Sequence, residues 1–155
     1  MADDCIFCKI VAGELPATKI DEDERTLAFM DINPWTRGHA LVIPKAHSTD
    51  LGEIGAEDLA AVGAMAQRVA ERQKEALGAE GVNLLNCYGA AAWQTVFHTH
   101  FHVIPRYAGD GMQVPARPGA GGGPDEIAAA GEALLRNEPG GRGPDGERRP
   151  DGGKG

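Results

Sequence analysis

Between Ala56 and Leu77 the apolar positions advance by three or four, with Leu59, Val62, Ala66, Val69, Gln73 and Leu77 forming one mostly apolar stripe. That period is an α-helix burying one face, and it predicts the main helix of the chain. Glu57 and Asp58 sit in its first turn and Arg72 and Lys74 near its end, signs that complement the helix dipole, and Gly78 supplies a stop. Elsewhere the pattern shortens to strands. Thr18 to Asp21 and Thr26 to Asp31 flank an acidic turn and predict a hairpin closed by Pro34. Gly38 to Pro44, a short apolar run bounded by Gly and Pro, predicts a central strand, and Lys45 to Gly55 a loop. Val82 to Cys87 reads as a strand and Tyr88 to Gln94 as a loop, while Ile6 to Ala12 reads as a short helix ended by Gly13 and Pro16. From Val96 to Arg106 the chain alternates, so a strand there puts His98, His100 and His102 on one face and Phe97, Thr99, Phe101 and Val103 on the other. Several strands around one long helix imply an α+β domain with the helix on one sheet face.

Beyond Tyr107 the composition shifts to Gly, Pro and Ala. Asp125 to Arg136 predicts a short helix with Ile127, Leu134 and Leu135 as its few anchors. From Asn137 onwards too little apolar surface is available to offset ordering entropy, so a disordered tail is expected. The organisation expected is thus one domain over residues 1–110, an extension over 111–136 and a tail over 137–155. A length of 155 residues suits a single domain. The net charge of -8 argues against general nucleic-acid binding, which relies on basic surfaces, but leaves room for a small anionic ligand held by backbone N–H groups and imidazoles. With no signal pattern at the amino terminus and no apolar run near the roughly 20 residues that span a bilayer, no membrane association and a cytoplasmic location are expected.

Three cysteines make no disulfide framework. Cys5 and Cys8, spaced CxxC, are either a metal knuckle or small residues packing a turn, and Cys87 reads as core. The five histidines concentrate in two candidate strands, with His39 and His47 flanking the second apolar run. Three histidines at alternate strand positions cannot readily meet one zinc, since the outer two are about 13 Å apart. A pair such as His100 and His102 with a third ligand could do so. On the residues alone, that metal use and nucleophilic use stay open.

The run His98-Thr-His100-Phe-His102-Val-Ile, preceded by Gln94 and accompanied upstream by Gly38-His39-Ala-Leu-Val-Ile-Pro, resembles the histidine triad (HIT) family of nucleotidyl hydrolases and transferases, most closely its nucleoside phosphoramidase branch. The similarity covers roughly Cys5 to Tyr107. It implies an antiparallel sheet with one long helix packed on it, and a homodimer joined through that helix and a strand. It also implies a reaction in which His100 attacks the α-phosphorus of a purine nucleotide conjugate to form a covalent nucleotidyl-imidazole, which water then hydrolyses. By the same resemblance His102 and His39 line the site, holding the tautomer and stabilising phosphoryl oxygens, and His98 supports the nucleophile through the backbone. Gln94 resembles a contact to the phosphate or the leaving-group bridge, Asn86 and the backbone around Thr95 the other phosphate contacts, Asp31 the carboxylate that accepts ribose hydroxyls, and Phe7, Ile10, Phe29 and Ile32 the apolar clamp for the base. Cys5, Cys8, His47 and His98 match the structural zinc set of a microbial-type subset, with no catalytic metal expected. The implied activity is hydrolysis of a nucleoside 5'-phosphoramidate or adenylyl conjugate. Dinucleoside polyphosphate cleavage, or a nucleotide-binding module with negligible turnover, are the alternatives. Two positions depart from the family pattern: Trp93 stands where a small glycine is usual, expected to reshape the leaving-group side, and Thr99 replaces an apolar residue, expected to weaken packing slightly.

Overall fold

The computed structural model describes residues 3–113 and 118–136, and the chain divides after Gly111 into two compact units. The first unit holds helix α1 (Ile6–Val11), strands β1 (Lys19–Glu22), β2 (Thr26–Met30) and β3 (Ala40–Pro44), helix α2 (Ala56–Leu77), and strands β4 (Gly81–Asn86) and β5 (Phe101–Arg106). The strands form one antiparallel sheet in the order β1-β2-β3-β5-β4. Strands β2 and β3 are apolar at nearly every position because both sheet faces are covered. On one face Ala28, Ala40, Val42 and Val103 pack against Val62, Met65, Ala66 and Val69 of α2. On the other, Leu27, Phe29, Leu41 and Ile43 pack with Phe7 and Ile10 of α1.

Helix α2 matches the predicted span, and its buried stripe gains Met65. Gln73, the polar member of that stripe, donates from Nε2 to the carbonyls of Gly38 (2.9 Å) and Val103 (2.8 Å), tying the helix to the sheet. Gly38 has a φ of +91°, a conformation that favours glycine, and a Cβ there would also displace the end of the Leu77 side chain. Gly78 caps the helix in the left-handed conformation. At the other end, Gly55 offers no side-chain cap, and the acidic first turn is held instead by Arg25, which donates to Asp58 and Glu57 at 2.8 Å each.

The histidine segment corrects the expected strand. Only Phe101–Arg106 is in the sheet, because the ladders with β3 and β4 both begin at Phe101. Residues 98–100 bond elsewhere: the Thr99 N–H donates to the Ser48 carbonyl at 2.7 Å. Thr99 is also no packing defect. Its hydroxyl accepts from Ser48 Oγ at 2.8 Å and donates to the Ser48 carbonyl at 3.2 Å, so this buried polar side chain is satisfied.

The second unit contains helix α3 (Pro124–Arg136). The anchors expected on it do not bury: Ile127, Leu134 and Leu135 are all exposed. The expected disordered tail, 137–155, lies outside the described residues. No helix among the described residues is long and apolar enough to cross a membrane.

Candidate active site

On the sheet face opposite α2, a cleft of about 500 Å³ opens between α1, the end of β2, the start of β5 and the β4–β5 loop. Phe7, Ile10, Phe29, Asp31, Ile32, Thr95, His100 and His102 all line it. Phe7 stands edge-on to Phe29 (5.5 Å between centroids) and to His100 (5.2 Å), so the apolar wall reaches the histidines directly. Ile32 is almost fully exposed and forms part of the rim.

Hydrogen-bond partners assign the ring tautomers. His100 Nδ1 lies 2.7 Å from the His98 carbonyl oxygen, which can only accept, so the proton sits on Nδ1 and Nε2 keeps its lone pair. His39 is fully buried, and its Nδ1 accepts from the Trp35 N–H at 3.0 Å, so its proton is on Nε2. That Nε2 lies 2.9 Å from His102 Nδ1 and donates to it, which puts the His102 proton on Nε2. Asp31 Oδ2 stands 3.5 Å from His39 Nε2 and 3.9 Å from His102 Nδ1. Burial pushes His102 down to about 4, helped by repulsion from His100 and His39, and burial also lowers His39 and His100. All three are therefore neutral near pH 7. A neutral imidazole with a free Nε2 beside a second imidazole with an N–H to give combines a nucleophile with a hydrogen-bond donor.

Behind the triad, Cys5, Cys8, His47 and His98 bring one donor atom each to within 4.8 Å of one another. Cys5 Sγ lies 3.4 Å and Cys8 Sγ 3.6 Å from His98 Nδ1, Cys8 Sγ 3.4 Å from His47 Nδ1, and the two imidazole Nδ1 atoms 3.2 Å apart. A tetrahedral zinc with Zn–N of about 2.0–2.1 Å and Zn–S of about 2.3 Å has N–N edges of about 3.3 Å and S–N edges of about 3.6 Å. The N–N separation and these three S–N separations match those edges. His98 Nε2 donates to the Pro44 carbonyl at 2.8 Å, which turns the Nδ1 lone pair inward as a metal ligand requires. Asp31, His39 and His102 also cluster, but the His39 Nε2 lone pair is blocked by its proton, which the Trp35 N–H enforces.

Two side chains expected to touch phosphate do not line the cleft. Gln94 is buried, donating to the carbonyls of Thr49 (2.8 Å) and Val96 (3.2 Å) and accepting from the Gly89 N–H (2.8 Å), so its carboxamide closes the loop on itself. Asn86 donates to the His100 carbonyl at 3.0 Å, leaving a buried oxygen that can only accept and so does not pair with a phosphate oxygen. Trp35, which the sequence patterns do not single out, also lines the cleft. Its indole stacks on His102 at 5.6 Å with 17° between planes, and its backbone sets the His39 tautomer. A tryptophan shortly before Gly38-His39 is the only signal of it in the sequence.

An imidazole oriented by a backbone carbonyl, directly preceding a strand of the antiparallel sheet and beside a neighbouring imidazole pair, is an arrangement able to support histidine-based group transfer. The model of the HIT domain matches residues 12–109, and the chain belongs to that family. An uncharacterized HIT-like protein of Methanocaldococcus jannaschii is 48% identical over 110 residues, 71% of this chain and 84% of that protein. The adenosine 5'-monophosphoramidase of Schizosaccharomyces pombe is 41% identical over 133 residues, 84% of this chain and 95% of that one. Among solved structures, a zinc-bound histidine triad family protein from Mycobacterium smegmatis superposes with a TM-score of 0.69 at 44% identity, covering 86% of this chain and 96% of that one.

Proposed function

We propose that this protein hydrolyses a nucleoside 5'-phosphoramidate, or a related adenylyl conjugate, to the nucleoside monophosphate through a covalent adduct on His100. The observation that carries this reading is the bond from His100 Nδ1 to the His98 carbonyl, which leaves Nε2 as an unprotonated nucleophile at the cleft wall. The similarity to an adenosine 5'-monophosphoramidase supports the substrate class. Nε2 attacks the α-phosphorus, the bond to the leaving nitrogen breaks with its electron pair departing on the amine, and water then cleaves the phosphorus–Nε2 bond. Over the cycle one water is consumed: its hydroxyl ends on phosphorus and its hydrogen on the amine. The Nε2–H of His102, backed by His39, binds a phosphoryl oxygen. Asp31 takes the ribose hydroxyls, and Phe7, Ile10, Phe29 and Ile32 hold the base.

Cys5, Cys8, His47 and His98 hold a zinc ion whose four protein ligands leave no open position, so the metal cross-links rather than reacts. The protein works as a homodimer in the cytoplasm, a state that sedimentation tests directly. For the mechanism, the test is His100→Ala. Turnover of a labelled adenosine phosphoramidate should fall by several orders of magnitude with nucleotide binding still measurable, and acid quench of the wild type should trap label on the protein. Wild-type-like turnover in His100→Ala would remove the nucleophile assignment. A wild type that binds the conjugate and releases it unchanged would leave a nucleotide-binding module instead.

A further inference from the structure

Trp35 sits in the loop between β2 and β3, and the backbone of that loop is held at several points. The Asn33 N–H donates to Asp31 Oδ1 at 2.8 Å, the Asp31 N–H to the His39 carbonyl at 3.0 Å, and the His39 N–H to the Thr36 carbonyl at 3.2 Å, so the loop closes on itself. The buried Thr36 hydroxyl donates to the Pro105 carbonyl at 2.6 Å, which pins the loop to β5. From this fixed backbone Trp35 meets the imidazole pair twice. Its N–H donates to His39 Nδ1, and its indole lies over the face of His102, with 5.6 Å between centroids and 17° between planes. An indole left 47% exposed contributes little to the core, yet its one near-parallel ring contact falls on a histidine of the cleft.

His102 has to aim its Nε2–H at one phosphoryl oxygen. Its Nδ1 accepts from His39 Nε2 at 2.9 Å, which fixes one corner of the ring. The rings of His39 and His100 stand 5.1 Å away at 50° and 67°, so neither lies parallel to it. Histidine χ2 is a broad torsion, and a hydrogen bond at one corner leaves the ring free to rock about it. The near-parallel indole removes that freedom on one side. It also acts on charge. As negative charge gathers on the phosphoryl oxygen during attack, the bond from Nε2–H strengthens and draws positive charge onto the imidazole, which an aromatic face favours. That gain grows between bound substrate and transition state, so it bears on rate more than on affinity.

We propose that the Trp35 indole is a positioning residue for the reaction: stacked on His102, it holds the ring plane in which Nε2–H meets the phosphoryl oxygen of the conjugate. This rests on the His100 hydrolase reading above and deepens it.

The test compares the wild type with Trp35→Leu, which removes the flat face, and Trp35→Phe, which keeps one. Both retain the backbone N–H and with it the His39 tautomer. With enzyme in excess over a labelled adenosine phosphoramidate, the maximal rate at which label is trapped on the protein should fall about three- to ten-fold in Trp35→Leu, the range expected for one aromatic pair. The enzyme concentration giving half that rate should stay within about two-fold, which also reports an intact cleft, and Trp35→Phe should recover most of the rate. On a His102→Ala background, which has no ring to hold, Trp35→Leu should change the rate by less than about two-fold. A half-saturation that rises while the maximal rate holds makes Trp35 a wall for the substrate and overturns the positioning role. So does a loss as large on the His102→Ala background as in the wild type, or a Trp35→Phe no faster than Trp35→Leu. Adduct formation at the wild-type rate in Trp35→Leu overturns this role and leaves the His100 reading standing, whereas absence of any adduct in the wild type removes both.

Discussion

Single imidazoles decide most of this site, and their protonation follows from where they sit. His102 is held down to about 4, first by burial and then by its two histidine neighbours, and His39 is lowered in the same direction by burial. In the unfolded chain both return to about 6.5, so below that pH the unfolded state binds more protons than the native one. Their contribution to stability is therefore complete above about pH 6.5 and is lost as pH falls towards 4. The expected loss from His102 alone is about 2–3 kcal/mol across that window, read as a falling urea midpoint. His102→Gln should flatten the slope; an unchanged slope would mean that another group titrates there. The alternation of His98, His100 and His102 was legible in the sequence, but the directions of their protons were not. Those depend on the His98 carbonyl and on the Trp35 N–H, backbone groups whose positions no side-chain pattern announces.

At the level of elements, α2 was readable because it buries one stripe of helical period, and β2 and β3 because strands covered on both faces read as short continuous apolar runs. The start of β5 was not, because alternation continues through residues 98–100 after the ladder has stopped. What replaces the ladder is a brace between two sequence-distant turns. Ser48 follows His47 and Thr99 follows His98, and the Ser48–Thr99 hydroxyl and backbone bonds hold those two histidines side by side. The threonine that breaks the apolar pattern is thus matched by a serine 51 residues earlier, a pairing visible only after folding. Thr99→Val keeps the shape and leaves the buried Ser48 hydroxyl without its acceptor, which should cost about 1–3 kcal/mol. Thermal melting should show the loss, and the double variant with Ser48→Ala should recover part of it. If Thr99→Val melts like the wild type, the brace contributes nothing. The same logic explains α3: its amphipathic sequence was enough to predict a helix, but a partner for Ile127, Leu134 and Leu135 lies outside what sequence period encodes.

For the molecule as a whole, the proposed zinc links fold and function through one short helix. Cys5 is the N-cap of α1 and Cys8 lies one turn on, while Phe7 and Ile10 of the same helix form the apolar wall of the cleft. On the other side of the metal, His98 carries the carbonyl that orients His100. Removing the metal should loosen α1 first, because six residues of helix cannot hold themselves and depend on tertiary contacts. Cys5→Ser and Cys8→Ser should each lose zinc by metal analysis and melt about 10 °C lower or more, as expected if several kcal/mol are lost. The kinetic signature should be a split: KM for the nucleotide conjugate rising about tenfold as Phe7 and Ile10 lose their places, with a smaller fall in kcat because His100 directly precedes β5, whose ladders the metal does not hold. Restoring zinc to metal-stripped wild type should recover KM and melting temperature together. Abolition of the chemical step by zinc removal, with fold and KM intact, would instead make the metal a direct participant in the reaction.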